Sequence, residues 1–441
     1  MKRTNVLLFA AVFVCSAVSV AADAIPAAKQ KNPIALVGGT IHTVSGQVLE
    51  GATIVFEKGT ITAIGANVSI PPNAQRIDVS GKHLYPGIID SYDRIGLMEI
   101  GSVRATIDIS ETGPINPNVR AEVAVNPESE LIPVARSQGV TIVNTVPGGG
   151  LVSGLAAALM LDGWTWEDLT LKSGLGLVVS WPSMVYVPSP FARLTKEEWQ
   201  KQRDEQLKAL REAFANARAY MTARKAEQQK DSRHHDSDPR WEAMTPVLKG
   251  SIPVFVEANE LSQIQGAITW AEQEGLRLVI VGGRDALFAK DQLKSKDIPV
   301  IVTDVQSAPA RRWQGYDEVF SLPARLKQAG IRFCIAGDGS ASNVRNVAFH
   351  AANAAAYGLP VEDALKSVTL HAAEILGIGD KVGSLEVGKD ATLIVTTGDP
   401  LQPTTITERM FIQGKTIDLR DKHKQLYEKY KEKYRQMSER Q

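Results

Sequence analysis

Between residues 84 and 336, short apolar runs alternate with longer amphipathic stretches, and this alternation restricts the fold more than any other feature. The clearest runs are Leu84 to Ile89, Val140 to Val146, Leu175 to Ser180, Ile252 to Val256, Arg277 to Val281, Ile298 to Val302 and Arg332 to Ala336. Runs of this length without polar alternation suit strands buried on both faces, joined in parallel by crossover helices. The pattern predicts an α/β chain, a (β/α)₈ TIM-like barrel over residues 85–379. Several runs end in an acid: Asp90, Glu257, Asp304 and Asp338. The carboxyl ends of barrel strands open on the functional face, so these are the first candidates for a site. Each also has a plainer reading, as a helix cap or Asx turn.

Both ends of the chain read differently. Residues 34–84 carry short β-rich runs, Ile34 to Val37, Ala52 to Phe56 and Ile61 to Ile64, punctuated by glycines, and a similar grammar returns over 380–417. The two segments predict one small composite β-sandwich. Within the barrel region, residues 195–230 form a charged helical insertion that opens on the capping box Thr195 and Glu198. Leu207, Leu210, Phe214, Ala217 and Met221 give it one apolar face, which calls for a surface across the barrel or on a second chain, so a homodimer is plausible. The following His234-His235-Asp236 reads as a polar loop before it reads as a metal site. Residues 418–441 predict a surface helix with Tyr427, Tyr430 and Tyr434 on one side; Glu428, Glu432 and Glu439 offset its bases, which argues against a nucleic-acid arm.

Forty-nine basic residues balance 49 acidic ones, which gives no charge-driven reason to bind nucleic acid or a membrane surface. Lys2 and Arg3, the apolar Val6 to Val14 and the small residues Ser16 to Ala22 form the three parts of a secretory signal over residues 1–22. The apolar run is shorter than the roughly 20 residues of a membrane span, so the expectation is export, periplasmic or secreted, without a permanent anchor. Cleavage leaves a net charge of −2 and Cys334 as the one remaining cysteine, so neither an internal disulfide nor a Cys-rich metal site is available.

The stretch Leu84-Tyr85-Pro86-Gly87-Ile88-Ile89-Asp90-Ser91-Tyr92-Asp93-Arg94, the last-strand Ala336-Gly337-Asp338-Gly339, and the run from Leu370-His371-Ala372-Ala373 through Gly383-Ser384-Leu385-Glu386-Val387-Gly388-Lys389-Asp390-Ala391 resemble the imidazolonepropionase-like branch of the amidohydrolase superfamily. The resemblance implies hydrolysis of C–N bonds of amides, often cyclic, by a hydroxide generated at one or two divalent metals. It also implies histidines in a His-x-His on the first strand and at the ends of the fifth and sixth. Those positions fall on Tyr92, Arg94, Glu257 and Gly282, and only Asp338 keeps the family identity. The seven histidines, at 42, 83, 234, 235, 350, 371 and 423, form no His-x-His and lie away from the predicted strand ends.

This substitution pattern predicts a site without a bound transition metal. Arg94 then takes the place of the lost cation, pairing with Asp338 or Glu257, and Tyr92, Arg94 and Asp304 face a small-molecule ligand or substrate. A competing reading has Glu257, Asp304 and Asp338 hold Mg²⁺ or Ca²⁺ through oxygens, against the repulsion of Arg94. The glycines of Pro147-Gly148-Gly149-Gly150 suit a tight turn better than a phosphate loop, since no Lys-Ser/Thr pair follows them. Trp164, Trp166, Trp181 and Tyr186 either line a pocket or pack as core. Three functions remain open: a weakly active or non-catalytic ligand-binding barrel; a C–N hydrolase using Asp338 and Glu257 as acid and base; and an assembly protein acting through the helix at 195–229.

Overall fold

The computed structural model describes residues 25–188, 194–227 and 236–439; the expected signal at 1–22 and the His234-His235 pair lie outside them. Eight strands form a nearly closed barrel, each hydrogen-bonded to the next in chain order. They are Ile88–Asp93, Val140–Thr145, Val152–Met160, Thr170–Ser180, Val254–Ala258, Leu278–Gly282, Val300–Val302 and Phe333–Ile335. First and last strands meet through side chains. The Ser91 hydroxyl donates to the Ile335 carbonyl at 3.3 Å, and the Cys334 thiol to Ser91 Oγ at 3.3 Å.

The barrel departs from the expected all-parallel pattern at its third strand. Val152–Met160 runs antiparallel to both neighbours, and the turn containing Gly148 to Gly150 joins it to the second strand. All other neighbouring pairs are parallel. Gly154 and Ala156-Ala157-Ala158 give this strand little intrinsic β preference, so its formation rests on burial between two partners.

A second sheet of eight strands draws on both ends of the chain. His83–Pro86 lies at the junction, parallel to Ile34–His42 on one side and antiparallel to Leu393–Thr396 on the other. This sheet has its own core, including Leu36, Ile54, Leu84 and Leu393, with Phe56 and Phe411 edge to face at 5.1 Å.

The insertion is a helix, Lys196–Glu227, whose capping box closes as Thr195 N donates to Glu198 Oε2 at 2.8 Å and Glu198 N to Thr195 Oγ1 at 3.2 Å. Its buried face, Leu210, Ala213, Phe214 and Ala217, packs within this chain, with Phe214 edge-on to Trp270 at 4.9 Å. The apolar surface that suggested a second chain is thus largely spent internally. No helix among the described residues is long and apolar enough to cross a membrane.

Candidate functional site

The first strand brings Tyr92 and Arg94 to the carboxyl end of the barrel, where both face Glu257 from the fifth strand. Tyr92 Oη donates to Glu257 Oε1 at 3.0 Å, Ser180 Oγ donates to Oε2 at 2.5 Å, and Arg94 Nη2 stands 3.7 Å from Oε1. Burial, reinforced by the Glu257 charge, holds the Tyr92 phenol well above its ordinary range, so it stays a neutral donor. The Arg94 side chain is 27% exposed, and its Nη1 makes only a long 3.5 Å contact with the Gly339 carbonyl. Gly148 lies over the same guanidinium, since a Cβ there would sit 3.2 Å from Nη2. The glycine turn therefore packs on Arg94.

Just past the last strand, which neighbours the first, Asp338 sits in an Asx-type turn. Its Oδ1 accepts from Ser340 N at 2.9 Å and its Oδ2 from Asn343 Nδ2 at 2.6 Å. Asp304 follows the seventh strand with φ at 56°, and its carboxyl is raised, first by burial and then by the Asp338 charge. Arg94 pairs with Glu257, and no ion pair joins it to Asp338 among the described residues.

Beneath the mouth lie two acids that periodicity did not single out as a pair. Asp90 and Asp93 are fully buried on the first strand, and each has an Oδ2 without a hydrogen-bond partner. Asp90 Oδ1 accepts from Tyr92 N at 3.2 Å and Gly337 N at 3.3 Å, yet burial pushes its carboxyl up to about 7. Asp93 Oδ1 accepts from Arg94 N at 2.5 Å, and burial, then the neighbouring Asp90, holds its carboxyl well above the usual range. Asp90 was legible only as a strand-end acid, whereas Asp93 was missed. Two acids three residues apart in a fully buried strand are the signal. Spacing places His350 away from the strand ends, but it is buried near enough to Asp338 to feel its charge, and its Nδ1 has no partner.

These residues do not fit a transition metal. Tyr92 spends its hydroxyl on Glu257, Arg94 brings a fixed positive charge, and Gly282 offers no side-chain donor. Gly282 also cannot simply be replaced: its φ is +91° and a Cβ would come within 2.4 Å of Asn259 Oδ1. The oxygen site expected from Glu257, Asp304 and Asp338 does not assemble either, because Glu257 is engaged by Tyr92, Ser180 and Arg94 while Asp304 senses Asp338. Among the described residues no group of three His, Cys, Asp or Glu is arranged to hold a metal ion.

The aromatic residues at 164–186 do not line one pocket. Trp181 packs on Trp270 at 5.6 Å, Tyr186 on Trp199 at 5.7 Å, and Trp166 lies under Arg120. Trp164 borders a cavity of about 630 Å³ beside Gln30, Lys58 and Lys415, at the two-ended sheet and remote from the mouth.

Residues 299–417 match the amidohydrolase family model. The chain is 23% identical over 384 residues to the amidohydrolase tasK of Hapsidospora irregularis, covering 82% of this chain but only 39% of that protein. It is 27% identical over 383 residues to the imidazolonepropionase of Pseudomonas putida, covering 78% of this chain and 87% of the relative. Among solved structures, an amidohydrolase from Thermotoga maritima MSB8 superposes with a TM-score of 0.78 at 28% identity, over 88% of this chain and 100% of that one.

Proposed function

Because this chain belongs to the amidohydrolase superfamily, in its imidazolonepropionase-like branch, we propose that it keeps the family barrel to bind a small carboxylate-bearing molecule and hydrolyses C–N bonds weakly or not at all. One observation carries this reading: a guanidinium occupies the mouth where the family places a metal ligand, and its contacts at 3.5 and 3.7 Å leave the fork free for a planar anion. Tyr92 and Ser180 hold Glu257 in place, so Arg94 has a fixed counter-charge, while its Nε is buried without a hydrogen-bond partner.

Hydrolysis through Asp338 and Glu257 is the second reading. It is less favoured because both Glu257 oxygens and both Asp338 oxygens already accept hydrogen bonds. The N-terminal pattern of Lys2, Arg3 and the apolar run supports export to the periplasm or medium. The separate core of the two-ended sheet supports reading it as the small sandwich that accompanies the barrel.

Calorimetric titration of the full chain with small dicarboxylates and N-acyl amino acids tests the binding reading. Saturable binding is expected, and Arg94→Met should weaken it about 10- to 100-fold through the lost charge-assisted bonds. Equal binding by the variant, or metal-dependent turnover with stoichiometric metal, overturns it.

A further inference from the structure

The helix Lys422–Ser438 buries none of its 17 residues, although its start is tied to the body. Asp421 is buried and caps it, accepting from His423 N at 2.7 Å and Lys424 N at 3.0 Å. From there roughly 25 Å of helix carries its side chains in solvent.

Residue identities around this helix are sorted by angle. At about 100° per residue, Leu426, Tyr427, Tyr430, Tyr434 and Met437 share one face, with His423, 3.4 Å from Arg345 of the body, at its first turn. Their exposures run from 39% to 64%, so no part of the described chain covers them. Lys424, Lys431 and Arg435 border that face on one side, and Lys422, Lys429 and Lys433 on the other. Glu428 and Glu432, with Glu439 just past the helix, point away from that face, and the border bases they pair with are Lys431, 3.9 Å from Glu428, and Arg435, paired with Glu432 and Glu439. The lysines already lie beside the rings: Lys431 Nζ is 5.7 Å from the Tyr427 ring centre, and Lys433 Nζ is 5.7 Å from that of Tyr430.

We propose that this helix is a membrane-surface anchor, lying in the interface of a bilayer rich in anionic lipid with its tyrosines at headgroup depth. Tyrosine has an apolar body and a polar tip, which suits that depth. Bases on both borders reach up to phosphates while their methylene stems cover apolar surface, and the acids remain in water. A second copy of the same helix fits the face less well. Joining two tyrosine faces, in parallel or antiparallel, sets the basic borders carrying Lys431 and Lys433 against basic borders of the other copy, a like-charge seam that opposes pairing. The segregation of charge, invisible in a net charge near zero, therefore selects an anionic surface.

Co-sedimentation of the full chain with vesicles tests this, comparing phosphatidylcholine alone with phosphatidylcholine containing about three parts in ten phosphatidylglycerol. Binding to the anionic vesicles should be about 10-fold stronger or more, and should fall as salt rises. A Tyr427→Ser, Tyr430→Ser, Tyr434→Ser variant should lose at least about 10-fold in binding, and Lys431→Glu with Lys433→Glu should lose the lipid preference, both with unchanged thermal unfolding. Equal or absent binding to the two vesicles overturns the proposal. So does a dimer in sedimentation velocity that the tyrosine variant dissolves, because a second copy then covers the face.

Discussion

Gly282→His is expected to destabilise the barrel by roughly 2–6 kcal/mol rather than restore a metal ligand. Two effects add. A side chain at φ +91° sits in a backbone region that costs about 1–3 kcal/mol outside glycine. Its Cβ would also meet Asn259 Oδ1 at 2.4 Å, and forcing Asn259 aside costs a further 1–3 kcal/mol or so by overpacking. Displacing the Asn259 side chain also breaks the 3.4 Å hydrogen bond that its Oδ1 accepts from Arg284 N. Urea unfolding of the full chain measures the loss, with Gly282→Ala reporting the backbone and Cβ part alone. A midpoint unchanged in both variants would show that the strand relaxes around the new side chain. The missing sixth-strand ligand is thus written into the backbone, not only into one side chain.

Stability should fall as pH rises from about 5 to 8, by roughly 2 kcal/mol or more for the buried Asp90–Asp93 pair, and Asp90→Asn should make that slope shallower. The sign follows from proton binding. Asp90 titrates near 7 in the folded chain against an ordinary 3.8, so the native state holds the extra proton between those values. The stabilisation is complete below about 4 and is lost as pH climbs through 7. Asp93, raised in the same direction, should leave the variant a shallower slope. Urea midpoints at pH 5 and 8 decide the matter; a flat wild-type profile, or a variant as steep as the wild type, would refute the assignment.

The barrel was legible because its parallel strands are buried on both faces, and double burial writes uninterrupted apolar runs such as Val254 to Val256 and Leu278–Gly282. Val152–Met160 was not, since alanines and a glycine carry no strand signature and the preceding glycines read as a turn alone. In the site, Tyr92, Arg94 and Glu257 could be placed by register, and they do converge. Asp304 and Asp338 could be placed at strand ends, but which acid pairs with Arg94 depended on rotamers that no spacing encodes. Asp93 escaped notice because attention to alternate positions on a strand passes over the residue between them, and a bulge between Asp90 and Asp93 breaks that alternation.

The two-ended sheet has a consequence for the order in which this chain matures. His83–Pro86 is flanked by Ile34–His42 from the start of the chain and by Leu393–Thr396 from near its end, with Tyr85 opposite Ile394. As the chain leaves the ribosome, the early strands can pair among themselves, but the His83–Pro86 edge keeps unpaired backbone groups until almost all of the barrel has been made. Contacts of such long sequence separation form late and slowly. Synthesis therefore presents a nascent barrel beside an open β edge, and a chain cut short before Leu393 would keep that edge permanently.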